Sequence, residues 1–220
     1  MNPGGLSPRR RAKRFSLRRG SAAPEAAARV AIMSAAVDVS ETCEQIAALR
    51  ATGDAALAKD DREAGIAAYT AAGQLVPTPA DPNDSDEDDG DAPPPRDVLV
   101  AGAAVLSALA EAHVFARNAA EDQPTRRGHA MRAVAAGQKA ARCDPGNWRG
   151  HWFTGVAIMM LQPKIPRSKQ AVAAFEAVVA LEADLDEAQK ADARKALEAA
   201  RLRLQKGRDD LPMPEGCVVC

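Results

Sequence analysis

The residues best suited to catalysis or metal binding are few and widely spaced. They are three histidines and four cysteines: His113, His129, His151, Cys43, Cys143, Cys217 and Cys220. Structural zinc sites need about four such ligands at short, regular spacings, and these residues have no such pattern. The signatures of phosphate-binding loops, nucleophile elbows and zinc proteases are also missing from the sequence. The sequence therefore predicts a protein that is not an enzyme and that has no cofactor or metal.

The last four residues carry the clearest modification signal. Cys217, two valines and Cys220 have the form C-a-a-X of a prenylation site, which predicts a lipid on Cys217. A single lipid gives only marginal membrane binding unless a basic patch or a second lipid assists it. The alternative interpretation is an unmodified thiol tail.

The composition favours an all-α fold. Hydrophobic residues make up 46% of the 220 residues, but aromatic residues only 3%, and alanine dominates the apolar part. Such residues favour closely packed helices, whereas strands favour β-branched and aromatic residues. No stretch resembles the ~20 apolar residues of a membrane span, and the scattered cysteines favour a reducing, cytoplasmic location.

Charge is strongly segregated although the net charge is only −1. Residues 9–19 are almost purely basic, and residues 81–91 are acidic. We interpret 1–39 as a disordered basic tail, with a transit peptide or a nuclear-localisation run as alternatives. Met33 could also be an internal start, in which case the basic tail in residues 1–32 would be optional. Nucleic acid is not an expected partner, because Phe15 is the only aromatic in the basic run and the rest of the chain is close to neutral.

Residues 40–207 are predicted to form three helix pairs and a final helix. In the first pair, Ser40 caps a helix to Lys59, and Asp60 caps a second helix that stops before Pro77. Proline and acidic residues predict a loop over 77–96, either a plain insertion or a regulatory segment.

The second pair is predicted to begin at Asp97 and to resume at Thr125. The third comprises 149–161 and a helix capped by Ser168. A final helix runs from Asp184 to about Lys206, with one narrow apolar face. Residues 208–220 are read as a disordered tail.

A spacing of small and aromatic residues recurs in these pairs. Gly53, Tyr69, Ala72 and Pro77 are followed in the third pair by Gly155, Ala171 and Phe175. This pattern, over 46–206, resembles the tetratricopeptide repeat of about 34 residues, and in particular the domain of three repeats and a capping helix found in chaperone adaptors (co-chaperones). The resemblance implies an α-solenoid whose groove binds a peptide or a helix of another protein.

The resemblance also indicates candidate groove residues. In the family, two basic residues and two asparagines hold the acidic C-terminal tail of a heat-shock chaperone. Arg50 and Arg149 stand at the basic positions, and Phe153 stands where some members have an aromatic residue. Asp54 and Ala108 stand at the asparagine positions and cannot donate as an amide does. The predicted function is an interaction adaptor, and the alternative is a scaffold for organelle import or trafficking with a different partner.

Overall fold

A computed structural model describes residues 39–79, 93–161 and 165–206. Its seven α-helices are listed here in chain order: α1 (Val39–Leu57), α2 (Arg62–Gln74), α3 (Arg96–Ala119), α4 (Gln123–Cys143), α5 (Trp148–Met160), α6 (Ile165–Ala180) and α7 (Glu187–Lys206). A short 3₁₀ turn, Glu182–Asp184, precedes α7. Helix accounts for 85% of the described residues and none of them lies in a strand, so the all-α prediction is confirmed.

The helices pack in chain order. Each helix contacts the next, and α3 also contacts α1 and α5. The first helices of the three successive pairs (α1, α3 and α5) therefore lie side by side. The finer prediction, a solenoid of tetratricopeptide repeats, stays a prediction.

In the first pair and in the third pair, the two helices cross at a glycine. A Cβ on Gly53 would lie 2.5 Å from a ring carbon of Tyr69, and one on Gly155 would lie 2.7 Å from the ring of Phe175. Both rings are buried, with exposures of 2% and 0%. Only a residue without a side chain lets these rings lie directly against the facing helix.

The middle pair is packed differently. The buried residues of α4 are all small: Ala130, Ala133, Ala136, Gly137, Ala140 and Cys143. Helix α3 supplies the larger side chains, including Val105 and Val114, which are fully buried. A ridge of alanines on one helix lets its neighbours approach closely, so this pair needs no large aromatic at its centre.

Helix α3 is also long and apolar enough to cross a membrane by length and composition, with a mean hydropathy of 1.9 over its most apolar window. The prediction that no stretch resembles a span was therefore wrong on these criteria. Other helices bury 61% of that window, which is the pattern of a central core helix. The criteria alone are weak grounds for a membrane span.

Several helix starts differ from those predicted. Asp61, not Asp60, caps α2 by accepting the backbone N–H of Ala64, because Asp60 adopts a left-handed conformation with φ 58°. Asp97 lies in the first turn of α3, where a negative charge is favourable, and Pro95 occupies the cap position. The chain enters each helix from a turn whose conformation decides which acid can reach the free N–H groups.

The third pair and the final helix show the same kind of difference. Ser168 is buried inside α6 and does not cap it. The final helix begins at Glu187, where Asp186 and Gln189 exchange side-chain-to-backbone hydrogen bonds of 2.8 and 3.0 Å. The predicted apolar face of α7 is confirmed, since Ala193 and Ala200 are almost fully buried.

Long cationic side chains bind the carbonyl ends of two helices. Lys139 on α4 donates to the carbonyls of Gly73 and Val76 at the end of α2, at 3.2 and 2.8 Å. Arg203 on α7 donates to the carbonyl of Met159 at 2.9 Å, near the end of α5. A cation at a helix C-terminus interacts favourably with the helix dipole and satisfies carbonyls that have no partner within the helix.

Candidate functional site

The five predicted groove residues all lie on the first helices of the pairs. Arg50 and Asp54 are on α1, Ala108 is on α3, and Arg149 and Phe153 are on α5. Because α3 packs against both α1 and α5, the three helices that carry these residues are neighbours.

On α1, Asp54 is held by two partners. The Tyr69 hydroxyl donates to Asp54 Oδ1 at 2.5 Å, and Arg50 Nε lies 3.9 Å from Asp54 Oδ2. Burial and the hydrogen bond to Asp54 raise the pKa of Tyr69, so its hydroxyl stays protonated and remains a donor. Tyr69 therefore both packs against Gly53 and fixes the carboxylate of Asp54 at the surface.

On α5, Arg149 forms an ion pair and hydrogen bond with Glu111 of α3. Burial raises the pKa of Glu111, and Arg149 opposes that shift. The negative charge of Asp54 also raises it, so the two carboxylates lie within electrostatic range of each other. Glu111 was missed by the sequence analysis, although it lies one turn beyond Ala108 on the same helix.

We call Arg50, Asp54, Tyr69, Glu111 and Arg149 the groove network. Each arginine in it is paired with a carboxylate of the same chain. Ala108 beside it is half-buried against the core and offers only a methyl group. An incoming carboxylate would therefore compete with Asp54 and Glu111 for both cations.

A pocket of about 470 Å³ opens next to Arg149. Its lining comes from α3, α5, α6, the turn before α7 and the start of α7: Glu111, Trp148, Arg149, Trp152, Phe153, Val178, Leu185, Asp186, Ala188, Gln189 and Asp192. We call it the aromatic pocket. The guanidinium of Arg149 lies 6.0 Å from the centre of the Phe153 ring, and Trp152 packs edge-on against Phe175 at 5.6 Å.

The sequence had predicted burial for Trp152, which is confirmed, but it gave no sign of a pocket. The residues of α7 in the lining lie more than thirty positions after Trp152. Only the return of the chain through α6 brings Asp186 and Asp192 alongside α5.

The two histidines treated as isolated in the sequence are in contact. Their Nδ1 atoms lie 3.1 Å apart between α3 and α4. Burial, with the nearby charges of His129 and Arg132, lowers the pKa of His113 to about 4. Within the described ranges, no group of three or more histidine, cysteine or acidic side chains is arranged to hold a metal ion.

Two of the four cysteines lie within the described residues. Cys43 is half-buried on α1, and Cys143 is buried at the end of α4, where burial raises its thiol pKa. Cys217, the predicted lipidation site, lies outside the described residues, as do the basic and acidic runs.

No protein-family model matches this chain, and no curated protein is similar to it.

Proposed function

We propose that this chain is a non-catalytic adaptor that binds a peptide or a helix of another protein on the face formed by α1, α3 and α5. The observation that carries the proposal is the groove network together with the adjoining aromatic pocket. The two combine a concave space with half-exposed charged groups and large aromatic side chains. Interfaces between proteins are enriched in tryptophan and arginine in this way.

The recurring glycine–aromatic crossing supports a tetratricopeptide-like architecture for this adaptor. Gly53 with Tyr69 and Gly155 with Phe175 occupy corresponding places in the first and third pairs. Helix pairs stacked in this manner leave their first helices along one surface. On this proposal, α7 covers the apolar side of the last pair and ends the stack.

A photo-crosslinking experiment tests the adaptor function. A photoreactive amino acid at position 50 should capture a partner protein in cells, whereas one at position 127, exposed on α4, should not. The captured protein is then purified and titrated against Arg149→Ala and, as the matched control, Arg127→Ala. Equal affinity for the two variants, or equal capture from both positions, would exclude the groove as the binding surface.

The co-chaperone form of the proposal is tested separately. A peptide ending in Glu-Glu-Val-Asp is titrated against the wild-type chain and an Arg50→Ala/Arg149→Ala variant. A co-chaperone requires saturable binding below about 100 μM, as the affinity scale places it near −5.5 kcal/mol, and loss of that binding in the variant. Failure would leave the alternative of a scaffold for import or trafficking.

The lipid anchor on Cys217 is part of the same proposal and has its own test. Membrane fractionation of the wild-type chain is compared with a Cys217→Ser variant. A prenylated protein should lose membrane association in the variant, since the lipid supplies the apolar burial. Equal soluble fractions would remove the anchor, and would leave the adaptor function standing.

A further inference from the structure

We infer that a second pocket, lined by three arginines, binds the phosphate group of a phosphate monoester, either a free small molecule or a lipid headgroup. We call it the arginine pocket. It has a volume of about 510 Å³ and lies where α3 and α5 end and α4 begins. It shares no lining residue with the aromatic pocket, so the inference goes beyond the proposed adaptor function.

The lining of this pocket contains three cations, Arg117, Arg126 and Arg127, and no carboxylate. Five other arginines of the described ranges form ion pairs with an acid: Arg50, Arg62, Arg149, Arg194 and Arg201. Within the same ranges, none of the three pocket arginines does so. The pocket therefore gathers guanidinium groups that have no anionic partner among the described residues.

Two acids precede α4 but lie outside the lining. Asp122 is exposed and caps the helix, where its carboxylate accepts the backbone N–H of Thr125 at 2.8 Å. Glu121 is exposed as well. Neither forms an ion pair with an arginine of the described ranges, and water screens charges at the surface. These acids therefore offset only part of the positive charge in the pocket.

The described partners of the pocket arginines are all neutral. Arg117 donates to the side-chain oxygen of Asn118 at 3.0 Å and to the carbonyl of Met160 at 3.5 Å. Arg126 donates through Nε to the carbonyl of Ala120 at 2.8 Å. Since a guanidinium has five N–H donors, both side chains retain donors that a ligand can use.

The carbonyl ends of α3 and α5 explain only part of this arrangement. A cation near such an end is favourable, but each end carries only about half a negative charge. Three full positive charges exceed that amount. Burial lowers the pKa of Arg117, and the positive charge of Arg126 lowers it further, so the two guanidiniums are close enough to repel each other. A bound anion would remove this repulsion.

A phosphate monoester suits the arginine pocket better than a carboxylate does. Its three terminal oxygens carry a charge of about −1.5 to −2 at neutral pH, and guanidinium forks bind such oxygens in pairs. The volume of the pocket falls in the range of small-molecule sites. Pro124, Met160 and Leu161 add an apolar side to the lining, which can contact the organic part of the ligand.

The position of α7 makes a lipid headgroup a natural source of the phosphate. Arg203 on α7 donates to the carbonyl of Met159, the residue before Met160 of the pocket lining. Helix α7 ends three residues later, at Lys206, and the sequence then continues toward Cys217. If Cys217 carries the proposed lipid, the arginine pocket would supply the basic patch that a single lipid anchor needs.

Calorimetric titration of the full chain tests the soluble source, with glycerol 3-phosphate as the probe. Succinate is the matched control, because it carries a similar charge on carboxylates. Binding through the pocket requires a saturable signal with a Kd below about 1 mM for glycerol 3-phosphate. Succinate should bind at least about ten-fold more weakly.

Co-sedimentation with vesicles tests the lipid source. Phosphatidylcholine vesicles with added phosphatidic acid present a monoester, whereas vesicles with phosphatidylglycerol, matched in total charge, present only a diester. A headgroup site should bind the phosphatidic acid vesicles at least about ten-fold more tightly. All chains in this arm carry Cys217→Ser, so that no prenyl lipid contributes, and all retain the basic run of residues 9–19.

Three variants locate the binding. Arg117→Gln/Arg126→Gln should weaken binding of the monoester probe by at least about ten-fold, because it removes two charged donors. Arg132→Gln/Arg142→Gln removes the same charge from exposed positions of α4 outside the lining, and should bind as the wild type does. Arg127→Gln, at an exposed position, should weaken binding without affecting folding. Circular dichroism checks that the helices of each variant are intact.

The inference is overturned if neither monoester probe binds with a Kd below about 1 mM, if neither outperforms its matched control, or if the two double variants bind equally well. Binding of only one probe assigns the source, soluble or lipid. The crosslinking and peptide tests of the groove are independent of these results. Position 127 still serves as their control, because the ligand inferred for the arginine pocket is not a protein.

Discussion

The first and third helix pairs differ from the middle pair in how they bring two helices together. In the outer pairs, a glycine on the first helix faces a buried ring on the second, Tyr69 or Phe175. In the middle pair, α4 contributes only alanine, glycine and cysteine to the core, and two histidines meet at one end. The comparison shows that one helix array can be built either around single large rings or around a ridge of small residues.

The outer pairs also differ from each other in what the buried ring contacts besides the glycine. The hydroxyl of Tyr69 holds Asp54 in the groove network, whereas Phe175 packs against Trp152 at the back of the aromatic pocket. The same crossing therefore positions a carboxylate at one end of the groove and an aromatic wall at the other. These two rings therefore connect the packing of the helices with the proposed binding face.

Removing a ring should have the largest effect. We expect Phe175→Ala to lower the free energy of unfolding by about 4 kcal/mol, since a fully buried aromatic leaves a large cavity. Its counterpart in the middle pair, Ala133→Gly, should cost about 2 kcal/mol from helix propensity and one buried methyl. Urea denaturation of both variants measures the difference, and equal losses would show that the two kinds of packing are equivalent.

Replacing a glycine by alanine should destabilise the outer pairs and stabilise the middle pair. Gly53→Ala and Gly155→Ala should each cost about 2 kcal/mol, because the new Cβ would lie under 3.0 Å from a buried ring. Gly128→Ala on α4 should stabilise by about 0.5–1 kcal/mol, because a Cβ there would meet no atom within 4 Å beyond the local backbone of its own helix. Thermal and urea unfolding of the three variants provide the test, and a stabilising Gly53→Ala would contradict the close crossing.

The histidine contact should make the middle pair sensitive to acid. The pKa of His113 falls from 6.5 to about 4 on folding, so between these values the unfolded chain binds a proton that the folded chain does not. Stability should therefore decrease as pH falls from about 6.5 to about 4, with a slope up to about 1.4 kcal/mol per pH unit for this group. A His113→Gln variant should show a flatter profile by denaturation at each pH, and parallel profiles would exclude His113 as the cause.

The smallest effect is expected when Tyr69 of the first pair is replaced by phenylalanine, the residue type that the third pair has at the corresponding place. Tyr69→Phe keeps the ring against Gly53 and removes only the hydroxyl that binds Asp54. We expect a loss of about 1 kcal/mol, because Asp54 is half-exposed and water can replace the lost donor. A loss above about 3 kcal/mol in urea would mean that the hydrogen bond, and not the ring, holds the first pair together.

Much of the fold could be predicted from residue patterns. The alanine-rich composition predicted an all-helical chain, and the positions of Gly53, Tyr69, Gly155 and Phe175 identified the outer crossings. Helix starts were predicted less well, as with Asp60 and Ser168, because several polar residues near each turn can cap and the turn conformation selects among them. The apolar length of α3 shows the same limit, since composition alone does not distinguish a core helix from a span.

The sequence by itself determined that this chain forms helices, which faces of them are apolar, and which five residues share the first helices of the pairs. The tertiary structure alone decided that Glu111 pairs with Arg149 and that Asp186, just before α7, lies beside the rings of α5. The physical reason is the separation along the chain over which each interaction acts. Helix propensity and periodicity act over a few residues, whereas a charge pair or a pocket depends on which distant segments the folded core places side by side.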